Sequence, residues 1–81
     1  MTELDLSDLK CPMPTLLTQK ALERLMPGDR LHVTTTDPMA RIDLPHFCSQ
    51  KQHTLVEMHQ LDDTRMIFII QKGEADPSRE A

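Results

Sequence analysis

The sequence predicts a two-layer α/β (α+β) sandwich, a mixed four-stranded sheet with two helices on one face. Apolar residues alternate with polar ones in short segments, as in half-buried strands. In two longer segments they recur every three or four residues, as in amphipathic helices. In chain order these segments read β-α-β-α-β-β. Because each predicted helix carries a single apolar stripe, both helices are expected to cover the same face of one sheet.

A loop rich in proline separates the first predicted strand from the first predicted helix. Leu4 and Leu6 alternate with polar residues and predict a short strand. The helix is predicted over residues 12–26, beginning at Pro12 with Cys11 as its N-cap. Prolines suit a first helical turn because its backbone N–H groups have no helical partner. The apolar stripe of this helix consists of Leu17, Ala21, Leu22, Leu25 and Met26.

A second strand and a second helix follow. The strand is predicted over residues 30–36, parallel to the first strand because a helix connects the two. The second helix is predicted over residues 39–52, and its apolar positions are Ala40, Leu44, Phe47 and Cys48. Pro45 interrupts this pattern and leaves two alternatives open, a kinked helix or an irregular turn followed by a short helix starting near Pro45.

The last part of the chain is predicted to form a hairpin and a tail. Residues 54–61 and 66–71 have the composition of strands, with Leu55 and Val56 as candidates for the inward face, and turn residues 62–64 join them. The segment after Gly73 is polar and has no periodicity. We therefore expect one domain over residues 1–73 and a disordered tail over residues 74–81.

Composition and charge exclude several classes of function. The 81 residues carry nine basic and thirteen acidic side chains, for a net charge of −4, with two phenylalanines and no tryptophan or tyrosine. Such a chain is poorly suited to bind nucleic acid. Its longest apolar run, residues 66–70, is far too short to cross a membrane. Two cysteines without a recognisable secretion signal indicate a cytoplasmic protein with reduced thiols, which we expect to be a monomer.

Cys11 is the candidate reactive group. A helix N-terminus concentrates unpaired N–H donors and partial positive charge, which favours the thiolate, the nucleophilic form of cysteine. With Cys11 as N-cap, the amides of Met13 and Thr15 are the nearest donors, because Pro12 and Pro14 have none. No second cysteine stands at Cys-x-x-Cys spacing, so a dithiol cycle is not indicated. Placement alone leaves two alternatives open, an activated sulfur nucleophile or an ordinary buried cysteine.

The segment around Cys11 resembles a known family signature. Leu4-Asp5, followed by Leu9-Lys10-Cys11-Pro12-Met13-Pro14, is similar to the Leu-Asp…Gly-Leu-x-Cys-Pro-x-Pro motif of the TusA (SirA-like) sulfur-carrier proteins. Further matches within residues 3–73 are Pro27-Gly28-Asp29, Asp37-Pro38, Asp43-Leu44-Pro45-His46-Phe47-Cys48 and His53-x-Leu55. The Cys-Pro-x-Pro motif is short, but together with these downstream segments the match is specific.

The resemblance implies a sulfur carrier rather than a stand-alone enzyme, with no cofactor. It implies that sulfur arrives from a cysteine desulfurase or a rhodanese-like donor and is held as a persulfide on Cys11. An acceptor protein then takes the sulfur, as in tRNA thiolation or sulfur metabolism. Lys10, Met13 and Leu16 are the candidate partner contacts. The alternative is a non-catalytic regulatory or interaction module on the same fold.

This chain departs from the family pattern at two places. Ser7-Asp8 stands where the family usually has Arg-Gly, and Gln52 stands where a glycine precedes His-x-Leu. If the first of these glycines has a positive φ, aspartate tolerates that conformation better than most residues, so the fold is expected to survive. The changed charge beside Cys11 leaves the identity of the donor and the acceptor open.

The other candidate groups have structural interpretations. Cys48 lies on the apolar stripe of the second helix, where a core residue is expected rather than a second sulfur relay. The four histidines lack the close spacing of a zinc site, and His46-x-Cys48 alone is a weak signal, so no metal is expected. The residues expected to fill gaps in this aromatic-poor core are Met26, Met39, Met58 and Met66.

Overall fold

The computed structural model describes residues 2–10 and 12–73 and confirms the predicted order of elements. The elements are β1 (Thr2–Leu6), α1 (Met13–Glu23), β2 (Arg30–Thr35), α2 (Ala40–Lys51), β3 (Thr54–Gln60) and β4 (Met66–Gln71). The strands form one four-stranded sheet in the order β1-β2-β4-β3. Cys11 and the predicted tail, residues 74–81, lie outside the described residues.

The sheet is mixed, as predicted. Strand β1 runs parallel to β2, with Leu4 opposite Val33, whereas β4 is antiparallel to both β2 and β3. Because β1 and β2 are parallel, their carboxyl ends meet at the same edge of the sheet. Helix α1 begins just beyond one of these ends and α2 just beyond the other. The candidate site lies at this edge.

Alternate residues of the strands face the two helices and form the core. The buried strand residues are Leu6, Leu31, Val33, Thr35, Met66, Phe68 and Ile70. From the helices come Pro14, Thr18, Leu22, Ala40, Leu44, Phe47 and Cys48. The two helices also contact each other. This arrangement confirms the two-layer sandwich, and no helix among residues 2–10 and 12–73 is long and apolar enough to span a membrane.

Helix α1 is shorter than predicted and turned slightly about its axis. It ends at Glu23 rather than Met26, because the chain turns back there: the Met26 N–H donates to Asp29 Oδ2 at 3.1 Å. Its buried row is Pro14, Thr18 and Leu22, whereas Leu17, Ala21 and Leu25 of the predicted stripe are half-buried. The predicted core role of Met26 is wrong, since this side chain is 70% exposed. Met39 and Met58 are exposed as well, so only Met66 of the four methionines lies in the core.

Helix α2 is one continuous helix with Pro45 inside it, which excludes the alternative of an irregular turn. Its predicted stripe is confirmed, because Ala40, Leu44, Phe47 and Cys48 are all buried. The helix ends at Gln52, whose φ of 62° is left-handed and brings the His53 N–H to the Cys48 carbonyl oxygen at 2.9 Å. Burial of one unbroken stripe offsets the loss of a helical hydrogen bond at the proline.

The hairpin β3–β4 is also confirmed, with an irregularity in its edge strand. A β-bulge lies between Leu55 and Glu57, and both Leu55 and Val56 are half-buried. A bulge shifts the alternation by one residue, which is why two consecutive apolar residues turn partly inward. The turn residues around Asp62 connect the hairpin as predicted.

Candidate functional site

The loop between β1 and α1 is held by a hydrogen bond at each of its first three amides. The Ser7 N–H donates to Asp5 Oδ1 at 3.0 Å, and the Leu9 N–H donates to the Leu6 carbonyl oxygen at 3.2 Å. Between them, the Asp8 N–H donates to Thr36 Oγ1 at 2.8 Å and ties the loop to the residue that follows β2. The backbone that leads to Cys11 is therefore anchored both locally and to the neighbouring strand.

Helix α1 begins one residue later than predicted. Pro12 rather than Cys11 is the N-cap, with φ −96° and ψ 11°, and no side chain caps the helix there. The Met13 N–H, expected to face the sulfur, donates to the Lys10 carbonyl oxygen at 2.9 Å. The Leu16 N–H closes the first helical turn onto the Pro12 carbonyl oxygen at 3.1 Å. A backbone hydrogen bond thus joins Lys10 to Met13, the first residue of the helix.

The residues of the Cys-Pro-x-Pro segment divide between the core and the surface. Pro14 is fully buried and fixes the first turn of α1 against the sheet, and Thr15 is half-buried. Lys10 is exposed, and Met13 and Leu16 retain 41% and 47% of their accessible surface. All three candidate partner contacts are therefore open to another protein, and two of them are apolar.

The two departures from the family pattern coincide with two left-handed residues. Asp8 has a φ of 69° and Gln52 a φ of 62°, and these are the non-glycine residues with positive φ in the described chain. This conformation costs an L-residue about 1–2 kcal/mol, and aspartate tolerates it better than most residues because its short polar side chain is able to hydrogen-bond locally. The conformation explains why glycine suits both positions and why the fold accepts aspartate at the first.

A groove of about 410 Å³ opens beside the loop, at the carboxyl end of β2. It is lined by Thr36, Asp37, Pro38, Arg41, Gln60, Asp63, Thr64 and Met66. Arg41 Nη2 donates to Gln60 Oε1 at 3.1 Å across it. Thr36 lines this groove and also accepts the hydrogen bond from the anchored loop. Sequence reasoning missed the groove, because its walls come from segments about twenty residues apart.

Asp37 organises the start of α2. Its N–H donates to Thr35 Oγ1 at 3.1 Å, and its Oδ1 accepts the Met39 N–H at 3.1 Å. Its carbonyl oxygen accepts the Ala40 N–H at 3.0 Å. Asp37 Oδ2 is buried and has no hydrogen-bond partner among the described residues. The Asp-Pro pair, which in the sequence marks the end of a strand, therefore also starts the second helix.

Cys48 is a core residue, as expected. It is 2% exposed, and burial raises the pKa of its thiol to about 11. At neutral pH the group is the protonated thiol, which is a poor nucleophile. The Cys48 thiol is therefore neither exposed to a partner nor ionised at neutral pH.

His53 has a structural role, and the described histidines do not gather into a metal site. The Gly73 N–H donates to His53 Nδ1 at 3.0 Å, and the His53 ring lies 5.6 Å from the Phe47 ring, centroid to centroid. Within residues 2–10 and 12–73, no three histidine, cysteine, aspartate or glutamate side chains are placed to hold a metal ion. His53 thus joins the end of α2 to the chain that leaves β4.

Comparison with known proteins places this fold and this motif in one family. The family described as "Sulfurtransferase TusA" matches residues 2–72. The proteins named sulfur carrier protein TusA from Pseudomonas aeruginosa (strain UCBPP-PA14) and Pseudomonas paraeruginosa (strain DSM 24068 / PA7) are each 37% identical to this chain over 71 residues. That alignment covers 88% of this chain and 90% of theirs. The chain therefore belongs to the TusA family.

A solved structure supports the same fold. The crystal structure of the SirA-like protein from Desulfitobacterium hafniense superposes with a TM-score of 0.79, covering 91% of this chain and 100% of that one. The two sequences are 24% identical, so this likeness concerns the fold alone. It agrees with the β-α-β-α-β-β sandwich that periodicity predicts.

Proposed function

We propose that this protein is a sulfur carrier that holds sulfur as a persulfide on Cys11. The observation that carries the proposal is the Cys-Pro-x-Pro motif of a TusA-family chain, located between an anchored loop and the first turn of α1. Relatives with 37% identity are named sulfur carriers. Two exposed apolar side chains, Met13 within the motif and Leu16 just after it, offer a partner a surface to cover.

The transfer needs no general base and no metal. The Cys11 thiolate attacks the outer sulfur of a persulfide on a cysteine desulfurase or a rhodanese-like donor. A sulfur–sulfur bond forms to Cys11 Sγ, the bond between the donor cysteine and its outer sulfur breaks, and the donor leaves as a thiolate. One sulfur atom changes hands without net oxidation or reduction. A persulfide is more acidic than its parent thiol, and its negative charge is favoured near the positive end of α1.

Delivery repeats the same exchange in the opposite direction. An acceptor protein attacks the outer sulfur held on Cys11, and the Cys11 thiolate is the leaving group. We place this step in the cytoplasm, with tRNA thiolation or another branch of sulfur metabolism as the destination. Specificity then depends on docking, with Lys10, Met13 and Leu16 as the contacts. No nucleic acid is bound directly, because the acidic chain offers neither a basic stripe nor aromatic platforms.

Intact-mass spectrometry tests the proposal. After incubation with a cysteine desulfurase and free cysteine, the protein is expected to gain about 32 Da, which a thiol reductant removes. Cys11→Ser is expected to abolish the gain, whereas Cys48→Ser retains it, because the buried thiol of Cys48 is protonated. If Cys48→Ser failed to load and Cys11→Ser loaded, the carrier cysteine would be misassigned. Tight binding of a partner without any mass gain would favour the interaction module instead.

A further inference from the structure

We propose that Thr36 is a positioning residue for sulfur transfer. Its hydroxyl accepts the Asp8 N–H at 2.8 Å, a hydrogen bond that joins the loop before Cys11 to a residue 28 positions further along the chain. The inference rests on the proposed function. It adds that the carrier loop is presented to a partner in an orientation fixed from β2, and that this orientation contributes to the rate of transfer.

The other bonds of the loop attach it only to the strand that it leaves. The amides of Ser7 and Leu9 bond to Asp5 and Leu6 of β1, so among these three bonds the Asp8–Thr36 bond alone ties the loop to the chain that follows β2. Asp8 itself has a φ of 69°, a left-handed conformation that is unfavourable for an L-residue, so a bond from its surroundings helps to hold it. Since β1 is an edge strand, its end has only β2 beside it. Thr36 directly follows β2, and its hydroxyl accepts the hydrogen bond from the loop.

Thr36 is itself well fixed. The preceding residue, Thr35, is fully buried in a central strand, and its hydroxyl accepts the Asp37 N–H at 3.1 Å. Asp37 in turn bonds the first amides of α2. Thr36 thus lies between a rigid strand and a bonded helix start. Its hydroxyl transmits that rigidity to the loop and sets the loop's place relative to α2 and the neighbouring groove.

The chemistry makes this orientation matter. Attack on a persulfide requires the thiolate to approach the outer sulfur in line with the bond that breaks, within the geometry of a docked complex. A displacement of the reacting group by about 1 Å lowers such a rate by as much as about a hundredfold. Loss of one anchoring bond in a loop that keeps its local bonds is a smaller disturbance, and we expect a decrease of about tenfold.

The experiment compares Thr36→Val with Thr36→Ser. Valine keeps the shape but removes the acceptor, whereas serine keeps the acceptor. The rate of sulfur loading from a cysteine desulfurase at saturating carrier is measured by quenched intact-mass spectrometry, and exchange of the Asp8 amide is followed by NMR. We expect Thr36→Val to load about tenfold more slowly and its Asp8 amide to exchange faster. Thr36→Ser is expected to resemble the wild type in both measurements.

Thr34→Val is the matched control. It makes the same change two residues earlier, at a position paired with Asp5 and Ile67 inside the sheet, and is expected to load normally. Loading by Thr36→Val at the wild-type rate would overturn the inference and leave the proposed function intact, as would equal slowing by Thr36→Ser. A wild-type protein that took up no sulfur would instead overturn the proposed function and the inference together.

Discussion

At the scale of single residues, backbone conformation explains the departures from the family pattern. Asp8 and Gln52 both have positive φ, and both stand where the family resemblance sets glycine. The glycine of the family motif at the position of Asp8 is itself a sign of such a conformation, because glycine adopts positive φ without steric cost. Asp8 and Gln52 therefore each add backbone strain that a glycine would not add. Part of this cost is offset, because a glycine would lose more conformational entropy on folding.

Gln52→Gly is expected to stabilise the protein by about 1 kcal/mol. The residue ends α2, and its exposed side chain has little packing to lose. The free energy of unfolding in urea measures the effect. Gln52→Ala serves as the control, because alanine keeps the left-handed strain and is expected to bring no gain. Equal stability of the glycine and alanine variants would show that φ is not the source of the strain.

Two fully buried threonines are predicted to respond oppositely to the same substitution. Thr18 Oγ1 has no hydrogen-bond partner among the described residues, so Thr18→Val removes an unsatisfied group and is expected to stabilise by about 1 kcal/mol. Thr35 Oγ1 accepts the Asp37 N–H at 3.1 Å, so Thr35→Val is expected to destabilise by about 1–3 kcal/mol. Thermal and urea unfolding measure both variants, and destabilisation by Thr18→Val would contradict the prediction.

Burial of the Cys48 thiol is expected to make the folded protein less stable at alkaline pH. Its pKa in the folded protein is raised from 9.0 to about 11 by burial, so the unfolded chain releases this proton first as pH rises. The contribution of this pKa shift to the free energy of unfolding is fully present below pH 9. It is lost as pH rises from 9 to 11, a decrease of about 2–3 kcal/mol at most. Unfolding curves across this range compare the wild type with Cys48→Ala. The alanine variant is expected to lack this part of the loss, and parallel curves would contradict the assignment.

At the scale of elements, the sequence pattern predicts the order of helices and strands better than it predicts which individual side chains are buried. Periodicity in the sequence predicts the order of all the elements and the buried stripe of α2, because burial of that stripe outweighs the effect of Pro45. The stripe of α1 is displaced towards Pro14 and Thr18, because tertiary contacts choose which side of a broad apolar face points inward. The predicted end of α1 is wrong for a similar reason, since the hydrogen bond from the Met26 N–H to Asp29 forms a turn that leaves Met26 outside the helix.

The candidate site is predictable in part. The family motif identifies Cys11 and its neighbours, and exposure of Lys10, Met13 and Leu16 agrees with the expected docking role. The contribution of Thr36 cannot be predicted from the sequence, because it depends on which strand lies beside β1 and on how far each strand extends. Periodicity contains neither piece of information.

The hydrogen bonds of Asp62 in the turn between β3 and β4 are expected to weaken at acid pH. Asp62 accepts hydrogen bonds from the Arg65 side chain at 2.8 Å and from the amides of Arg65 and Thr64, and these bonds lower its pKa to about 2. Because the folded pKa is depressed, the contribution of Asp62 to the hairpin is present above pH 3.8 and is lost as pH falls towards 2. NMR titration of the carboxyl carbon measures the pKa directly. Arg65→Gln is expected to return it towards 3.8, and an unchanged pKa would show that Arg65 is not the cause.

At the scale of the whole molecule, the fold buries the Cys48 thiol and leaves side chains around the Cys-Pro-x-Pro motif exposed. Cys48 is enclosed between α2 and the sheet, whereas the motif containing Cys11 precedes a helix whose first turn exposes Met13 and Leu16. On the proposed function, a partner is selected by the surface around the motif, within a chain whose net charge is −4.

Two sulfur donors distinguish the contribution of partner docking from that of the sulfur-transfer step itself. Met13→Glu and Leu16→Glu place a charge in the surface that a protein donor must cover, and each is expected to raise the KM for loading from a cysteine desulfurase about tenfold. Loading by inorganic polysulfide, which needs no docking, is expected to be unchanged. Met26→Glu makes the same change in charge beyond the far end of α1, at a side chain that is 70% exposed, and is expected to leave both reactions unaffected. If Met26→Glu impaired desulfurase loading as strongly as Met13→Glu, general charge repulsion would account for the effect. A local defect confined to the protein donor would instead assign docking to the first turn of α1.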